Sequence, residues 1–192
     1  MKKDYPGFLI LVIGNSGSGK DSIIKGAVEK YSRDKPRIHL VQRYITRPPS
    51  ETENNIPITL NEFKTMEQDN QFALKWNIYS LYYGVSIEID DWLKGGDLVL
   101  VNVSRTIVKN VRRIYKNVKV VFIQVPLEVS VERLNRRARE NQKRVEERIE
   151  RARKNQTFPN ADFIVDNSGL LDDAINQFLE YLLETVNNSN TI

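Results

Sequence analysis

A chain of 192 residues, 40% of them hydrophobic and 28% charged, has the size and mix of one globular domain with a buried core. The absence of cysteine excludes disulfides and thiolate metal sites, and no apolar run reaches the roughly 20 residues that span a bilayer, so a cytoplasmic protein without a membrane partner is expected. The net charge of +4 suits an anionic ligand. Much of the basic excess lies between Arg133 and Lys154, where acidic residues interleave and no aromatic platform accompanies them, which argues against nucleic acid.

Phe8 to Ile13 is an unbroken apolar run that reads as a buried strand, although two lysines precede it as in a signal peptide. It runs directly into GNSGSGKDS, Gly14 to Ser22, and then into a helical pattern. In that strand–loop–helix context the spacing G-x-x-x-x-G-K marks a phosphate-binding loop. Gly14, Gly17 and Gly19 allow Asn15, Ser16 and Ser18 to turn their N–H groups to one centre, and the helix dipole and Lys20 add positive charge there. The alternative, a glycine-rich turn that only joins strand to helix, does not account for the lysine. After the lysine such loops usually carry a hydroxyl that binds magnesium. Here Asp21 occupies the position, followed by Ser22, and a carboxylate is also a magnesium ligand.

Ile23, Ile24, Ala27, Val28 and Tyr31 then recur at helical spacing to about Ser32, and Arg37 to Gln42 reads as a second strand. RYITRPPSETENN, opening with Arg43 and Arg47, is polar and proline-broken. Thr59 and Glu62 form a capping-box pattern before a helix to about Asp69, and Phe72 to Trp76 and Tyr79 to Tyr83 read as short strands joined by a turn. Residues 44–85 are thus expected to form a small mixed insertion. Beyond it the spacing predicts a helix capped by Ser86, a buried strand Asp97 to Asn102, and a helix capped by Ser104. There follow a strand Val118 to Val125, a helix bearing Leu134 and the arginines, a strand Phe163 to Val165 and an amphipathic helix Leu170 to Val186. Alternating strands and helices imply an α/β fold, a parallel sheet with helices on both faces. Ligands of such sheets bind beyond the strands' carboxyl ends, which would place the loop, Arg43, Asn102, Arg105 and the segment after Val165 on one rim.

The phosphate loop, Thr46-Arg47-Pro48, LNEF at Leu60 to Phe63, Tyr82-Tyr83-Gly84 and the arginine-rich stretch together resemble guanylate kinase over nearly the whole chain. GKDS, RYITR at Arg43 to Arg47, LYYGVSIEID at Leu81 to Asp90 and VNVSR at Val101 to Arg105 are similar to a narrower branch, the ribose 1,5-bisphosphate phosphokinases. The resemblance implies a single domain with the P-loop kinase fold: a five-stranded parallel core, the insertion 44–85 to hold the acceptor, and a lid at about 136–148. It implies ATP and magnesium, a phosphorylated sugar as acceptor, and leaves a homodimer open. In the lid Arg137, Arg139 and Arg148 match family arginines, Arg137 and Arg148 acting with Lys20 in catalysis and Arg139 on the nucleotide, with Ala138 where glycine is frequent. Asn167, beside Asp166, would lie near adenine, and Tyr83 would touch the ligand.

Two carboxylates by which guanylate kinases hold guanine align with Lys75 and Asn102, and Asn55 stands for a tyrosine that touches the nucleotide phosphate. Arg43, Arg47 and Arg105 accumulate where a second phosphate could be held, which favours a base-free bisphosphate. The acceptor would be an oxygen of its 1-phosphate, ionised at neutral pH, so no general base is needed, and the only histidine, His39, reads as structural. Plain nucleoside monophosphate kinase activity and a catalytically silent binding module of the same fold are the alternatives. Silent modules typically lose the phosphate loop, which is intact here.

Overall fold

The computed structural model describes residues 1–32, 34–48, 55–78, 80–136 and 142–188, without the side chains of 142–144. Strand β1, Phe8–Gly14, is the apolar run, and Leu9 to Ile13 are fully buried, as a strand covered on both faces must be. Helix α1, Lys20–Lys30, buries Ile23, Ile24 and Ala27. β2, Ile38–Leu40, pairs in parallel with β7, Leu98–Asn102, and β8, Val118–Gln124, in parallel with β9, Phe163–Asp166. The core is a five-stranded sheet in the order β2-β7-β1-β8-β9, the α/β arrangement that the alternating pattern implies.

A second, four-stranded sheet is built within the insertion from β3, Arg43–Ile45, β4, Asn55–Pro57, β5, Phe72–Ile78, and β6, Leu81–Ser86, in the order β4-β3-β6-β5. β3 opens the segment that reads as polar and proline-broken, and β4 starts at its last residue, Asn55. Each has three residues, and their strand character comes from pairing with each other and of β3 with β6. Helix α2, Leu60–Gln68, starts at the expected capping box: the Thr59 hydroxyl accepts from the Glu62 N–H and the Glu62 carboxylate from the Thr59 N–H. Hydrogen bonds donated to it by the Thr59 N–H and then by the Thr59 hydroxyl hold the Glu62 carboxyl below its usual pKa. Ser86 departs from expectation: it ends β6, its Oγ accepts from the Glu88 N–H, and helix α3 begins only at Ile89, running to Lys94. After β7 a single 3-10 turn, Arg105–Ile107, capped by Ser104, leads into α4, Val108–Ile114. α5, Leu127–Arg136, α6, Gln142–Lys154, and α7, Leu171–Asn187, complete the described helices, none of them long and apolar enough to cross a membrane.

Two compact units divide these elements. One comprises Met1–Leu11 and Pro36–Val118, the other Val12–Lys35 and Lys119–Ile192. In the first, Tyr115 is buried at 2% exposure and its hydroxyl donates to Asp90 Oδ1 at 2.6 Å, while Lys3 binds the other Asp90 oxygen and lies over the Tyr115 ring. In the second, α1 packs along α7, and Phe163 stacks on Tyr181 at 4.4 Å.

Candidate active site

The unit of Val12–Lys35 and Lys119–Ile192 holds the loop between β1 and α1. Gly17 and Gly19 have φ of 83° and 84°, the left-handed conformation that turns successive N–H groups to one side. Neither position has room for a side chain: a Cβ would lie 2.9 Å from the Ser130 carbonyl oxygen at Gly17 and 2.5 Å from Asn167 Nδ2 at Gly19. Among the described residues no side chain caps α1, and the positive end of its dipole lies at the loop. Lys20 Nζ donates to the carbonyls of Gly14 and Asn15, both at 2.9 Å, which curls the ammonium group over the loop. Asp21 and Ser22 occupy that first turn, both exposed. A triphosphate fits this cradle of amides, dipole and ammonium.

Three neighbours prop the loop from outside. Asn15 Nδ2 donates to the carbonyls of Ala152 and Asn155, at 3.3 and 3.0 Å, at the end of α6. Arg133, on α5, donates to the Gly17 carbonyl at 3.3 Å. Asn167, 1% exposed just after β9, donates from Nδ2 to the Ser18 carbonyl at 2.8 Å. The sequence does not mark Arg133 and Asn155 as supports of the loop, because nothing in the local pattern says which polar residues of a helix turn towards a distant loop. Arg148 is half-buried on α6. Arg137 and Arg139 lie outside the described residues.

In the unit of Met1–Leu11 and Pro36–Val118, Arg43 and Asn102 come together. Arg43 Nη1 donates to the Asn102 carbonyl at 3.0 Å, and its Nε to Asn55 Oδ1, also at 3.0 Å, across the β3–β4 pairing. Alternation along β3 puts Arg43 on the same face as Ile45, whose partner on β6 is Tyr83. Tyr83 stacks flat on Trp76 at 5.2 Å, so its ring is held in place on that face. Lys75 is one residue off this alternation and points the other way, where it pairs with Glu67 of α2 at 2.7 Å. The cation at position 75 is thus engaged by α2 and does not share the face of Arg43 and Tyr83. Arg105 opens the 3-10 turn after β7. Arg47 lines an open groove of about 580 Å³ with Thr46, Pro57, Leu60 and Tyr82. Among the described residues no group of three or more His, Asp or Glu side chains could hold a metal. His39 stacks on Trp92 at 4.3 Å with Nε2 2.8 Å from Asp97, on the edge strand β2.

The guanylate kinase family model matches residues 7–185. Two proteins named ribose 1,5-bisphosphate phosphokinase PhnN are similar over nearly their whole length. That from Enterobacter lignolyticus is 37% identical, covering 95% of this chain and 94% of its own. That from Klebsiella pneumoniae is 36% identical, covering 92% and 93%. Among solved structures, guanylate kinase from Anaplasma phagocytophilum superimposes with a TM-score of 0.66 over 94% of this chain and 87% of its own, at 16% identity, and so shares the fold. With the phosphate loop intact, the protein is an enzyme, an ATP-using phosphotransferase. The chain belongs to the guanylate kinase family and, within it, to the ribose 1,5-bisphosphate phosphokinases.

Proposed function

We propose that the protein transfers the γ-phosphoryl group of ATP to the 1-phosphate of ribose 1,5-bisphosphate, giving 5-phosphoribosyl 1-diphosphate and ADP. The observation that carries this reading is the neutral amide of Asn102 at the end of β7, with Arg43 bound to the same residue's carbonyl. A neutral amide and a guanidinium tolerate a phosphate where a carboxylate would repel it. Names borne by the relatives point to the same acceptor. Lys75 lends this choice no support, since it faces Glu67.

The chain's own groups act by position and charge. Loop amides and Lys20 hold the donor phosphates, Lys20 exchanging its carbonyl partners for phosphate oxygens. Arg43, with Arg47, Arg105 and Tyr83, holds the sugar bisphosphate. An oxygen of the 1-phosphate forms the new bond to the γ-phosphorus as the bond to the bridging oxygen breaks, and the electron pair leaves on ADP. The attacking oxygen is already ionised, so no side chain removes a proton. Arg148 gathers charge on the transferring group, and the family resemblance assigns Arg137 to the same task and Arg139 to the nucleotide. Asp21 would be the carboxylate to hold magnesium, directly or through water, since no cluster of His, Asp or Glu among the described residues could do so. Bound there, the ion would neutralise charge on the donor phosphates. The family model would also suit a nucleoside monophosphate kinase. Parallel assays with ATP, magnesium and either ribose 1,5-bisphosphate or GMP separate the two. The sugar should be phosphorylated at least 100-fold faster on the order-of-magnitude scale for a site whose base-binding partners are missing, and comparable rates would overturn the assignment.

A further inference from the structure

The segment after β9 is expected from resemblance to meet adenine, yet Asn167 is turned the other way. Its main-chain N–H is fixed on the Gln124 carbonyl at 2.9 Å, and its side-chain amide is 1% exposed, with Nδ2 on the Ser18 carbonyl at 2.8 Å. It fills the space that Gly19 leaves by having no Cβ. A base edge has no access to so buried a group. Asn167 Oδ1 is also buried and has no hydrogen-bond partner among the described residues. Burying an acceptor in that way is costly, so the amide is explained by its N–H and by the Ser18 carbonyl that the N–H holds.

In a planar trans peptide the C=O and the following N–H point in opposite directions. Anchoring the Ser18 carbonyl on Asn167 therefore aims the Gly19 N–H away from Asn167. A peptide next to glycine turns over easily when nothing holds it. We propose that Asn167 is a positioning residue: by holding the Ser18 carbonyl it aims the Gly19 N–H at the donor phosphates, and it does not read the adenine ring. The inference rests on the loop being a phosphate site and is independent of the acceptor.

Tripolyphosphate, which has no base, separates phosphate positioning from base reading. Its Kd and those of ATP and GTP are measured by calorimetry on the wild type, Asn167→Ala and Asn167→Asp, the last keeping the side chain's shape while removing its amide donor. Both variants should weaken tripolyphosphate and ATP alike, by about tenfold, equivalent to ~1.4 kcal/mol, with the preference for ATP over GTP unchanged. Unchanged tripolyphosphate affinity, or a preference shifted more than about threefold, would overturn the proposal. Where neither variant folds, the wild type answers. The Asn167 side-chain amide resonances should shift equally on ATP, GTP and tripolyphosphate, and a shift confined to ATP would overturn it. A wild type that binds neither ATP nor tripolyphosphate would overturn the reading of the loop itself.

Discussion

The phosphate loop and the proposed acceptor side would hold anionic groups by different means. In the loop the donors are main-chain amides of consecutive residues, their directions set by left-handed glycines and by outside props such as Arg133 and Asn167. On the proposed acceptor side they would be side chains on β3 and on the turn after β7, and which way each points depends on strand register. A nest of consecutive amides is a local object, whereas a face of side chains exists only once strands have paired. Changes in the loop should therefore strike turnover and donor binding, and changes in the insertion acceptor binding alone.

The largest effect should come from Lys20→Ala. Removing the loop's full charge should lower kcat on the order of 10³-fold with little change in thermal stability, as followed by steady-state kinetics and calorimetry. A loss below about tenfold would break the comparison at its first term, because the loop would not be the centre of charge stabilisation.

Arg43→Ala comes next. Loss of a charged hydrogen-bonding partner, worth about 2 kcal/mol, should raise KM for the sugar bisphosphate by roughly 30-fold and leave KM for ATP alone. A matching rise for ATP would mean that Arg43 serves both substrates.

Tyr115→Phe tests a buried network of the same unit that carries no anion-binding group. Burial first, and then the hydrogen bond to Asp90 with its negative charge, raises the Tyr115 phenol well above its ordinary value of 10.0. Its contribution to stability is complete below the unfolded pKa near 10 and is lost as pH rises above it. Urea melts should show stability reduced by about 1–2 kcal/mol at neutral pH, with a shallower alkaline decline than the wild type and unchanged KM for both substrates. An alkaline slope equal to that of the wild type would remove Tyr115 as its cause.

Lys75→Glu should do least. The side chain points to Glu67, so a carboxylate there costs well under about 1 kcal/mol through like-charge repulsion and creates no guanine acceptor. GMP phosphorylation should stay at the wild-type level, and a gain would show that the 75 side chain reaches the acceptor after all.

Length, hydrophobic run, glycine spacing and lysine determine β1, the loop and α1, because strand burial, left-handed turning and helix polarity are all set within some 20 consecutive residues. The capping box at Thr59 and Glu62, the apolar strand ending at Asn102 and the closing helix are legible for the same reason. Only the tertiary structure makes strands of Arg43–Ile45 and Asn55–Pro57, whose three polar-flanked residues apiece gain strand form from partners elsewhere in the chain. Tertiary structure also decides that Ser86 ends a strand, that Lys75 faces α2, and that Asn167 turns under Ser18. A one-residue step along a strand reverses a side chain's face, and a buried amide is oriented by whichever carbonyl the fold brings to it. Composition and spacing carry neither piece of information.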